Sequence, residues 1–304
     1  MIESFSRTLP NGSTLSCRAS GAADRPLMLF LHGFPEAAFI WDELLEHFSR
    51  PENGGYRCVA PNLRGFAKSS SPSEVSAYRA RLLVQDIAQL AQSENPGGRI
   101  EVLVAHDWGG AFAWDYANRH GDNLGKLVII NSPHPGTFAR ELRDNPAQQA
   151  ASAYMNFLAR PDAEALLAAD DYKRMWRFFT LMKAGPDGFG WLTEEVKNQY
   201  REVWNEGLTG ACNLYRVTPL KPAIPGKPAP EIPMLPPEKL IVKVPTLVLW
   251  ALDDAALLPG LLEGLDAYVP QLEILKVPDA THWIVHERPK QVASEIQTFL
   301  QRAR

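Results

Sequence analysis

The sequence predicts an α/β fold in which helices cover both faces of a mostly parallel sheet and a helical segment is inserted. Short apolar runs alternate with amphipathic stretches over residues 26–130, and the alternation returns after residue 240. Residues 136–238 interrupt it with helical periodicity and no clear strand pattern. The chain has 304 residues, of which 45% are hydrophobic and 22% are charged. These values are typical of a globular protein with a large core.

The predicted strands are short runs rich in Leu, Val and Ile. They lie at residues 26–31, 100–105, 126–130 and 245–250. Buried parallel strands need such continuous apolar sequence because helices cover both of their faces. Sheets of this kind bind ligands outside the carboxyl ends of their strands. Polar residues that directly follow these runs are therefore the first candidates for a functional site.

The segments between the predicted strands carry apolar residues at helical spacing. The clearest examples are Ile40, Leu44 and Phe48, and then Leu83, Ile87, Leu90 and Ala91. A last helix is predicted to begin at Pro289, since proline suits the first helical turn. Its apolar face comprises Val292, Ile296, Phe299 and Leu300.

The insertion predicts a helical cap, residues 136–238, on a core domain formed by residues 1–135 and 239–304. Its helical patterns comprise Met175, Phe178, Phe179 and Met182, and then Leu192, Val196, Val203 and Trp204. An insertion between core strands would cover their carboxyl ends as a lid. The cap ends in a proline-rich segment, residues 218–237, which we interpret as an extended return to the core. A peptide ligand for a partner domain is the alternative interpretation.

Charge and cysteine content exclude several classes of protein. The formal net charge is −4 and the basic residues are dispersed, so neither a nucleic acid nor a membrane is an expected partner. No apolar run is long enough to span a bilayer, and the N-terminus lacks a signal-peptide pattern. The cysteines, Cys17, Cys58 and Cys212, are too far apart for a zinc motif and odd in number. We therefore expect a cytoplasmic protein without a disulfide framework.

The residues that follow the run 100–105 predict a nucleophile. The sequence AHDWGG, residues 105–110, places Asp107 in the pattern small-x-nucleophile-x-small, which resembles the nucleophile elbow of α/β-hydrolases. Small neighbours are needed because the turn from strand to helix is tight. An isolated Asp would more simply be a helix N-cap, and only the surrounding motif favours catalysis.

An aspartate in this position restricts the chemistry. A carboxylate can displace a leaving group at an sp3 carbon, and the resulting alkyl ester can be hydrolysed at its acyl carbon. A serine would form an ether that nothing nearby could cleave. Asp107 therefore predicts an epoxide or an alkyl halide as substrate, rather than an ester or amide.

An acid and a histidine follow the nucleophile in the expected chain order. Asp254 lies just after the run 245–250, and His282 lies in a loop before the last helix. A histidine oriented by a buried carboxylate can deprotonate the water that hydrolyses the ester. Asp253 is the rival acid, whereas the alternative acid position after the run 126–130 carries the neutral Asn131.

Two backbone N–H groups are expected to bind the oxyanion of the tetrahedral intermediate. One belongs to Trp108, directly after the nucleophile, and the other to Phe34 in the sequence HGFP, residues 32–35. The Phe34–Pro35 bond is a candidate cis peptide. His32 is interpreted as a structural hydrogen-bonding residue beneath this loop.

The chain resembles the soluble epoxide hydrolase family over nearly its whole length. HGFP at 32–35, NLRGF at 62–66 and HDWGG at 106–110 resemble the core motifs of that family. SAYMNF at 152–157, and LTEE at 192–195 with NLYR at 213–216, resemble its two lid segments with tyrosines. The sequence departs from the family pattern at Ala105 and Ala251, where glycine is commoner, and at Asn62, where aspartate is frequent.

This resemblance implies the α/β-hydrolase fold and hydrolysis of an epoxide to a vicinal diol, with Asp107, Asp254 and His282 as the catalytic triad. Tyr154 and Tyr215 would donate protons to the epoxide oxygen, since phenols remain protonated at neutral pH. The residues expected to line the substrate pocket are Phe34, Trp108, Phe157 and Trp283. No metal or organic cofactor is implied, and the chain is expected to be a monomer or a homodimer.

Two other functions remain open from the sequence. A haloalkane dehalogenase would share Asp107, Trp108 and His282, but many of them bind the halide through an amide side chain or a second tryptophan. The residue after Gly33 is Phe34 rather than an asparagine, which favours an epoxide. A non-catalytic ligand-binding protein of the same fold is the less favoured alternative, because all three triad residues are present.

Overall fold

A computed structural model describes residues 1–181 and 188–302. The described strands are β1 (Glu3–Thr8), β2 (Thr14–Ser20), β3 (Leu27–Leu31), β4 (Arg57–Pro61), β5 (Ile100–His106), β6 (Leu124–Ile130), β7 (Thr246–Ala251) and β8 (Leu272–Val277). The core helices are α1 (Asp42–Ser49), α2 (Ala80–Glu94), α3 (Asp107–His120), α10 (Ile284–Glu287) and α11 (Pro289–Arg302). The helices between β6 and β7 are α4 (Pro135–Asp144), α5 (Pro146–Ala151), α6 (Tyr154–Leu158), α7 (Ala163–Thr180), α8 (Glu194–Asn205) and α9 (Thr209–Val217).

The strands form one 8-stranded sheet in the order β1-β2-β4-β3-β5-β6-β7-β8. β1 and β2 are antiparallel to their neighbours, and β4, β3, β5, β6, β7 and β8 are mutually parallel. The chain runs from β3 outward to β4 on one side and then returns to β5 on the other side. This reversal makes the carboxyl ends of β3 and β5 the topological switch point, where α/β sheets form their binding crevice.

Helices cover both faces of the sheet, as the sequence predicts. Met28 and Phe30 of β3 pack on one face with the apolar sides of α1 and α11. Leu27, Leu29 and Leu31 point the other way, toward α2, α3 and the inserted helices. This alternation along one strand follows from the two-residue period of β structure, and it explains why the strand is apolar throughout.

The four strands predicted from apolar runs are confirmed as β3, β5, β6 and β7, each within two residues of its predicted ends. The sequence did not reveal β1, β2, β4 or β8. β1 and β8 lie at the edges of the sheet, and most of their residues remain partly or fully exposed. Their sequences therefore mix polar and apolar residues. β2 shows the alternating burial of a strand with one solvated face.

The inserted segment between β6 and β7 contains the helices α4 to α9 in its described part, as predicted, whereas the proline-rich residues 218–236 form neither helix nor strand. Met175, Phe178 and Phe179 lie in α7, which is interrupted by non-helical backbone at residues 169–172. Met182, the last residue of the same predicted pattern, lies outside the described residues. Among residues 1–181 and 188–302, no helix combines the length and apolar character needed to cross a membrane.

Candidate active site

Asp107 lies at the junction of β5 and α3, at the switch point of the sheet. Its backbone φ is 48°, in the left-handed region that side chains other than glycine rarely adopt. The turn brings α3 so close to β3 that a Cβ at Gly109 would lie 2.4 Å from the carbonyl oxygen of Leu31. The Ser132 hydroxyl donates to the Asp107 carbonyl at 2.6 Å and holds the turn from the other side. This geometry is that of a strained nucleophile elbow.

The Asp107 carboxylate faces the loop after β3. The backbone N–H of Phe34 donates to its Oδ1 at 2.7 Å, and the backbone N–H of Trp108 also hydrogen-bonds to it. A Cβ at Gly33 would lie only 2.1 Å from the same oxygen, so glycine is required there. The Phe34–Pro35 peptide is cis, as predicted. The two N–H groups expected to bind an oxyanion therefore already converge on the carboxylate.

His282 and Asp254 lie beside this carboxylate. His282 Nε2 is 3.8 Å from Asp107 Oδ2, and His282 Nδ1 is 2.6 Å from Asp254 Oδ2. Asp254, rather than its neighbour Asp253, is the acid that contacts the histidine. Its Oδ1 accepts the backbone N–H groups of Ala256 and Leu257, which fixes the orientation of the carboxylate.

Burial and charge shift the pKa values of these three groups. Burial raises the pKa of Asp107, against the opposing charges of His282 and His106. Burial alone would raise the pKa of Asp254 too, but the charge and hydrogen bond of His282 lower it below its usual value. Burial would lower the pKa of His282, but the charges of Asp254 and Asp107 and the Asp254 hydrogen bond raise it to about 9. The three groups thus form one coupled unit.

Tyr154 and Tyr215 face the same carboxylate from the cap, on α6 and α9. Their rings lie 6.1 Å apart between centroids, and the Tyr215 ring stands edge-on to Trp108 at 5.2 Å. Burial is the main reason why the pKa of each phenol is raised, and the negative charge of Asp107 adds to it. Both hydroxyls therefore remain protonated at neutral pH and can donate hydrogen bonds.

A cavity of about 590 Å³ joins these groups, since Asp107, Trp108, Tyr154 and Tyr215 all line it. The other residues expected in the substrate pocket do not line this cavity in the described structure. Trp283 is buried with its ring 4.6 Å from that of Phe179, and Phe34 presents its ring edge-on to Phe178 at 5.4 Å. Phe157 is partly buried against the core. Motif position alone did not predict which way these aromatic rings point.

Comparison with known proteins decides the family. The family model described as alpha/beta hydrolase fold matches residues 26–289 of this chain. The chain belongs to the α/β-hydrolase fold family. This membership agrees with the parallel sheet, the elbow after β5 and the chain order of Asp107, Asp254 and His282.

Several relatives of this α/β-hydrolase carry more specific names. Epoxide hydrolase 3 of Xenopus tropicalis is 35% identical over 93% of this chain and 73% of its own length. AB hydrolase superfamily protein YfhM of Bacillus subtilis (strain 168) is 32% identical over 95% of both proteins. The crystal structure of the Bacillus megaterium epoxide hydrolase with an inhibitor is 30% identical, with a TM-score of 0.86 over 98% of this chain and 100% of that one.

Sequence reasoning missed a buried pair of residues in this α/β-hydrolase, Glu36 and His106, which contacts the backbone of His282. His106 Nδ1 is 2.8 Å from Glu36 Oε2, and His106 Nε2 is 2.9 Å from the carbonyl oxygen of His282. Burial would raise the pKa of Glu36, but the charge and hydrogen bond of His106 lower it. Glu36 directly follows the motif HGFP and His106 is the first residue of HDWGG, which was the available signal.

From the sequence, Asn131 is only a neutral residue in the alternative acid position. In the fold its Nδ2 donates to Asp254 Oδ2 at 2.8 Å, and its Oδ1 accepts the Ala251 N–H at 2.9 Å. Asn131 therefore links β6 to the acid loop after β7 and supports the carboxylate that contacts His282. Within the described residues, no cluster of three or more His, Cys, Asp or Glu side chains could hold a metal ion.

Proposed function

We propose that this protein hydrolyses an epoxide to a vicinal diol through a covalent ester on Asp107. The observation that carries the proposal is the pairing of a carboxylate nucleophile with two buried, protonated phenols across one cavity. An sp3 carbon with a strained oxygen leaving group requires both components, an anionic nucleophile and a proton donor. The relatives named epoxide hydrolase support the same substrate class.

Ring opening is the first step of the proposed mechanism. Phe34 holds Oδ1 of Asp107, so Oδ2 is the oxygen that attacks an epoxide carbon. The carbon–oxygen bond of the ring breaks as the new ester bond forms, and the departing alkoxide takes a proton from Tyr154 or Tyr215. The products of this step are a hydroxyalkyl ester of Asp107 and one tyrosinate.

Ester hydrolysis is the second step. His282 takes a proton from water, and the hydroxide attacks the carbonyl carbon of the ester. The N–H groups of Phe34 and Trp108 hold the resulting oxyanion. When the intermediate collapses, the diol oxygen leaves with the proton from His282, and the new carboxylic acid returns its proton to the tyrosinate. Water and epoxide have then become a diol, and every protein group is restored.

The first step prepares the histidine for the second. In the free enzyme the charges of Asp254 and Asp107 both raise the pKa of His282, which reaches about 9. Ester formation removes the charge of Asp107, which is one of the groups that raise the pKa of His282. The imidazole therefore gives up its proton to solvent more readily once the substrate is attached, and it regains this proton when Asp107 is ionised again. Burial at the same time raises the pKa of Asp107, so ring opening requires a pH above the usual carboxyl range.

A direct comparison of two substrates tests the proposal. Purified protein is incubated with styrene oxide or with 1-bromobutane, and diol and bromide release are measured. We expect diol from the epoxide and little bromide. Halide departure needs free N–H donors, and the Trp108 side chain already forms a hydrogen bond with Tyr215. Bromide release exceeding diol formation would instead identify a haloalkane dehalogenase, and neither product would identify a non-catalytic protein.

Removing both phenol hydroxyls should slow ring opening. In a Tyr154→Phe/Tyr215→Phe double variant we expect the rate of ester formation to fall by roughly 10²- to 10⁴-fold, the range for general acid catalysis. Stopped-flow fluorescence with styrene oxide measures this rate. Tyr116→Phe is the matched control, because Tyr116 is also fully buried but lies in α3 outside the cavity lining. Full activity in the double variant would exclude a role for the lid tyrosines.

Asp254→Asn should slow hydrolysis and shift its pH dependence. Loss of the neighbouring charge lowers the pKa of His282, so the pH at which single-turnover ester hydrolysis reaches half its maximum should fall. The maximum itself should fall by about 10²- to 10⁴-fold, because the imidazole loses its orienting acceptor. Asp253→Asn is the matched control and should keep the wild-type profile. Equal profiles for both variants would contradict the assignment of Asp254.

The cap, the cellular compartment and the oligomeric state are parts of the same proposal. Residues 136–238 act as a cap over a core of residues 1–135 and 239–304, since α6 and α9 of this segment carry the two phenols. The three cysteines are free and buried, which supports a reducing compartment, the cytoplasm. A monomer or a homodimer would both fit, because the site is built from one chain.

A further inference from the structure

The cavity at Asp107 is longer than the catalytic groups need. Along α3, beyond Asp107, its lining comprises the residues at positions 108, 111, 112, 114, 115, 118 and 119, which lie on one side of the helix. At 1.5 Å per residue, this face extends about 16 Å from Trp108 to Arg119. The nucleophile lies at one end, and the other end reaches the exposed charged groups of Arg119 and Lys239.

The proline-rich segment that follows α9 forms another wall of this cavity. Its contribution to the lining comprises Thr218, Pro219, Leu220, Pro233, Met234 and Leu235. Met234 and Leu235 are large apolar side chains that remain 42% and 54% exposed, so they meet water when the cavity is empty. Burying such side chains against a ligand is favourable in proportion to the apolar area removed from water.

The segment is held in place at both of its ends. Asn156 Nδ2 of α6 donates to the Ala223 carbonyl at 3.3 Å, and Asn118 Nδ2 of α3 donates to the Ile241 carbonyl at 2.8 Å. His134 Nε2 contacts the Leu240 carbonyl at 3.0 Å. Between these attachments the chain makes a turn at residues 224–227 and a short 3₁₀ helix at Pro237–Lys239, and each proline fixes its own φ angle. The wall is therefore a semi-rigid surface.

From this placement we propose that Met234 and Leu235 are specificity-determining residues, which select epoxides that carry a long apolar chain. The epoxide ring lies at Asp107, and the chain extends along α3 against the proline-rich segment. Short epoxides bind the catalytic end only and do not reach these two side chains. The inference rests on the proposed epoxide hydrolysis and assigns its substrate class.

A homologous series of substrates tests this inference. Wild-type kcat/KM for 1,2-epoxydecane should exceed that for 1,2-epoxybutane by more than tenfold, because each methylene removed from water contributes roughly fourfold. A Met234→Ser/Leu235→Ser double variant should lower this ratio about tenfold. The loss should lie in kcat/KM for 1,2-epoxydecane, while kcat/KM for 1,2-epoxybutane should stay unchanged. Ile224→Ser is the matched control, since Ile224 is an apolar residue of the same segment, 39% exposed, outside the cavity lining. The control should keep the wild-type ratio.

Three results would overturn the inference: an unchanged ratio in the double variant, an equal loss for both epoxides, or the same loss in Ile224→Ser. Product binding supplies a separate measurement, by titration calorimetry with 1,2-decanediol and 1,2-butanediol. Wild type should bind the longer diol at least tenfold more tightly, and the double variant should lose most of that difference. Absence of turnover with every epoxide would refute the proposed function. The diol-binding measurement does not depend on turnover, so it would still show whether the cavity prefers the longer chain.

Discussion

Asp107→Asn should abolish epoxide turnover, with a loss of at least about 10⁴-fold in kcat, because the amide cannot form the ester intermediate. Asparagine has nearly the same shape as aspartate, and its side-chain oxygen can still accept the Phe34 N–H that now donates at 2.7 Å. The strained turn at φ 48° should also persist, since asparagine tolerates the left-handed region. The loss should therefore reflect chemistry rather than unfolding.

Diol formation from styrene oxide measures this effect, and the intact mass of the variant verifies that the side chain remains an amide. Asp122→Asn is the matched control, because Asp122 is an exposed residue just beyond the end of α3. It should turn over at the wild-type rate. An Asp107→Asn protein with more than a few per cent of wild-type activity would disprove the covalent mechanism and leave direct attack by water as the explanation.

His282→Gln should stop the reaction halfway and accumulate the alkyl-enzyme. Ring opening needs only Asp107 and the phenols, whereas hydrolysis needs a base, so only the second step should slow, by roughly 10²- to 10⁴-fold. The 3.8 Å between His282 Nε2 and Asp107 Oδ2 is too long for a hydrogen bond. The carboxylate is thus not held by the imidazole and can still attack when the histidine is replaced.

Mass spectrometry after mixing with substrate is the measurement. The intact protein should gain the mass of one epoxide molecule, and peptide mapping should locate the added group at Asp107. His120→Gln, the same substitution at the end of α3, should show steady turnover and no adduct. Steady turnover by His282→Gln with no adduct would mean that another group activates the water.

Asp107→Asn and His282→Gln separate ring opening from ester hydrolysis. The two steps remain connected because the charge of Asp107 affects the pKa of His282. The free enzyme keeps the pKa of His282 at about 9, largely through Asp254, with a further contribution from Asp107. In the proposed mechanism alkylation removes the Asp107 contribution, so the imidazole loses its proton more readily after the nucleophile has reacted.

Much of the site could be predicted because its residues follow strands in the sequence. A nucleophile after β5, an acid after β7 and a histidine before the last helix must meet, since the carboxyl ends of parallel strands share one edge of the sheet. The residue type at position 107 then predicts chemistry at an sp3 carbon. These deductions need only local pattern and chain order, which the printed sequence contains.

Other features depended on contacts between distant parts of the chain. The bond between Glu36 and His106 joins residues 70 apart, and that from His106 to the His282 carbonyl joins residues 176 apart. Neither pairing has a spacing that a sequence pattern could reveal. The directions of Phe34 and Trp283 were similarly undetermined, because the rotamer of a buried aromatic ring depends on its packing neighbours.

The amino-acid sequence by itself determined the parallel α/β core and the helical insertion, and it predicted a carboxylate nucleophile with a candidate acid and histidine. Only the tertiary structure decided which carboxylate contacts His282, how burial shifts the pKa of each group, and that the proline-rich segment lines the cavity. The physical reason is that propensity and periodicity act over a few neighbouring residues. Desolvation and cavity shape instead depend on how surfaces far apart in the chain pack together.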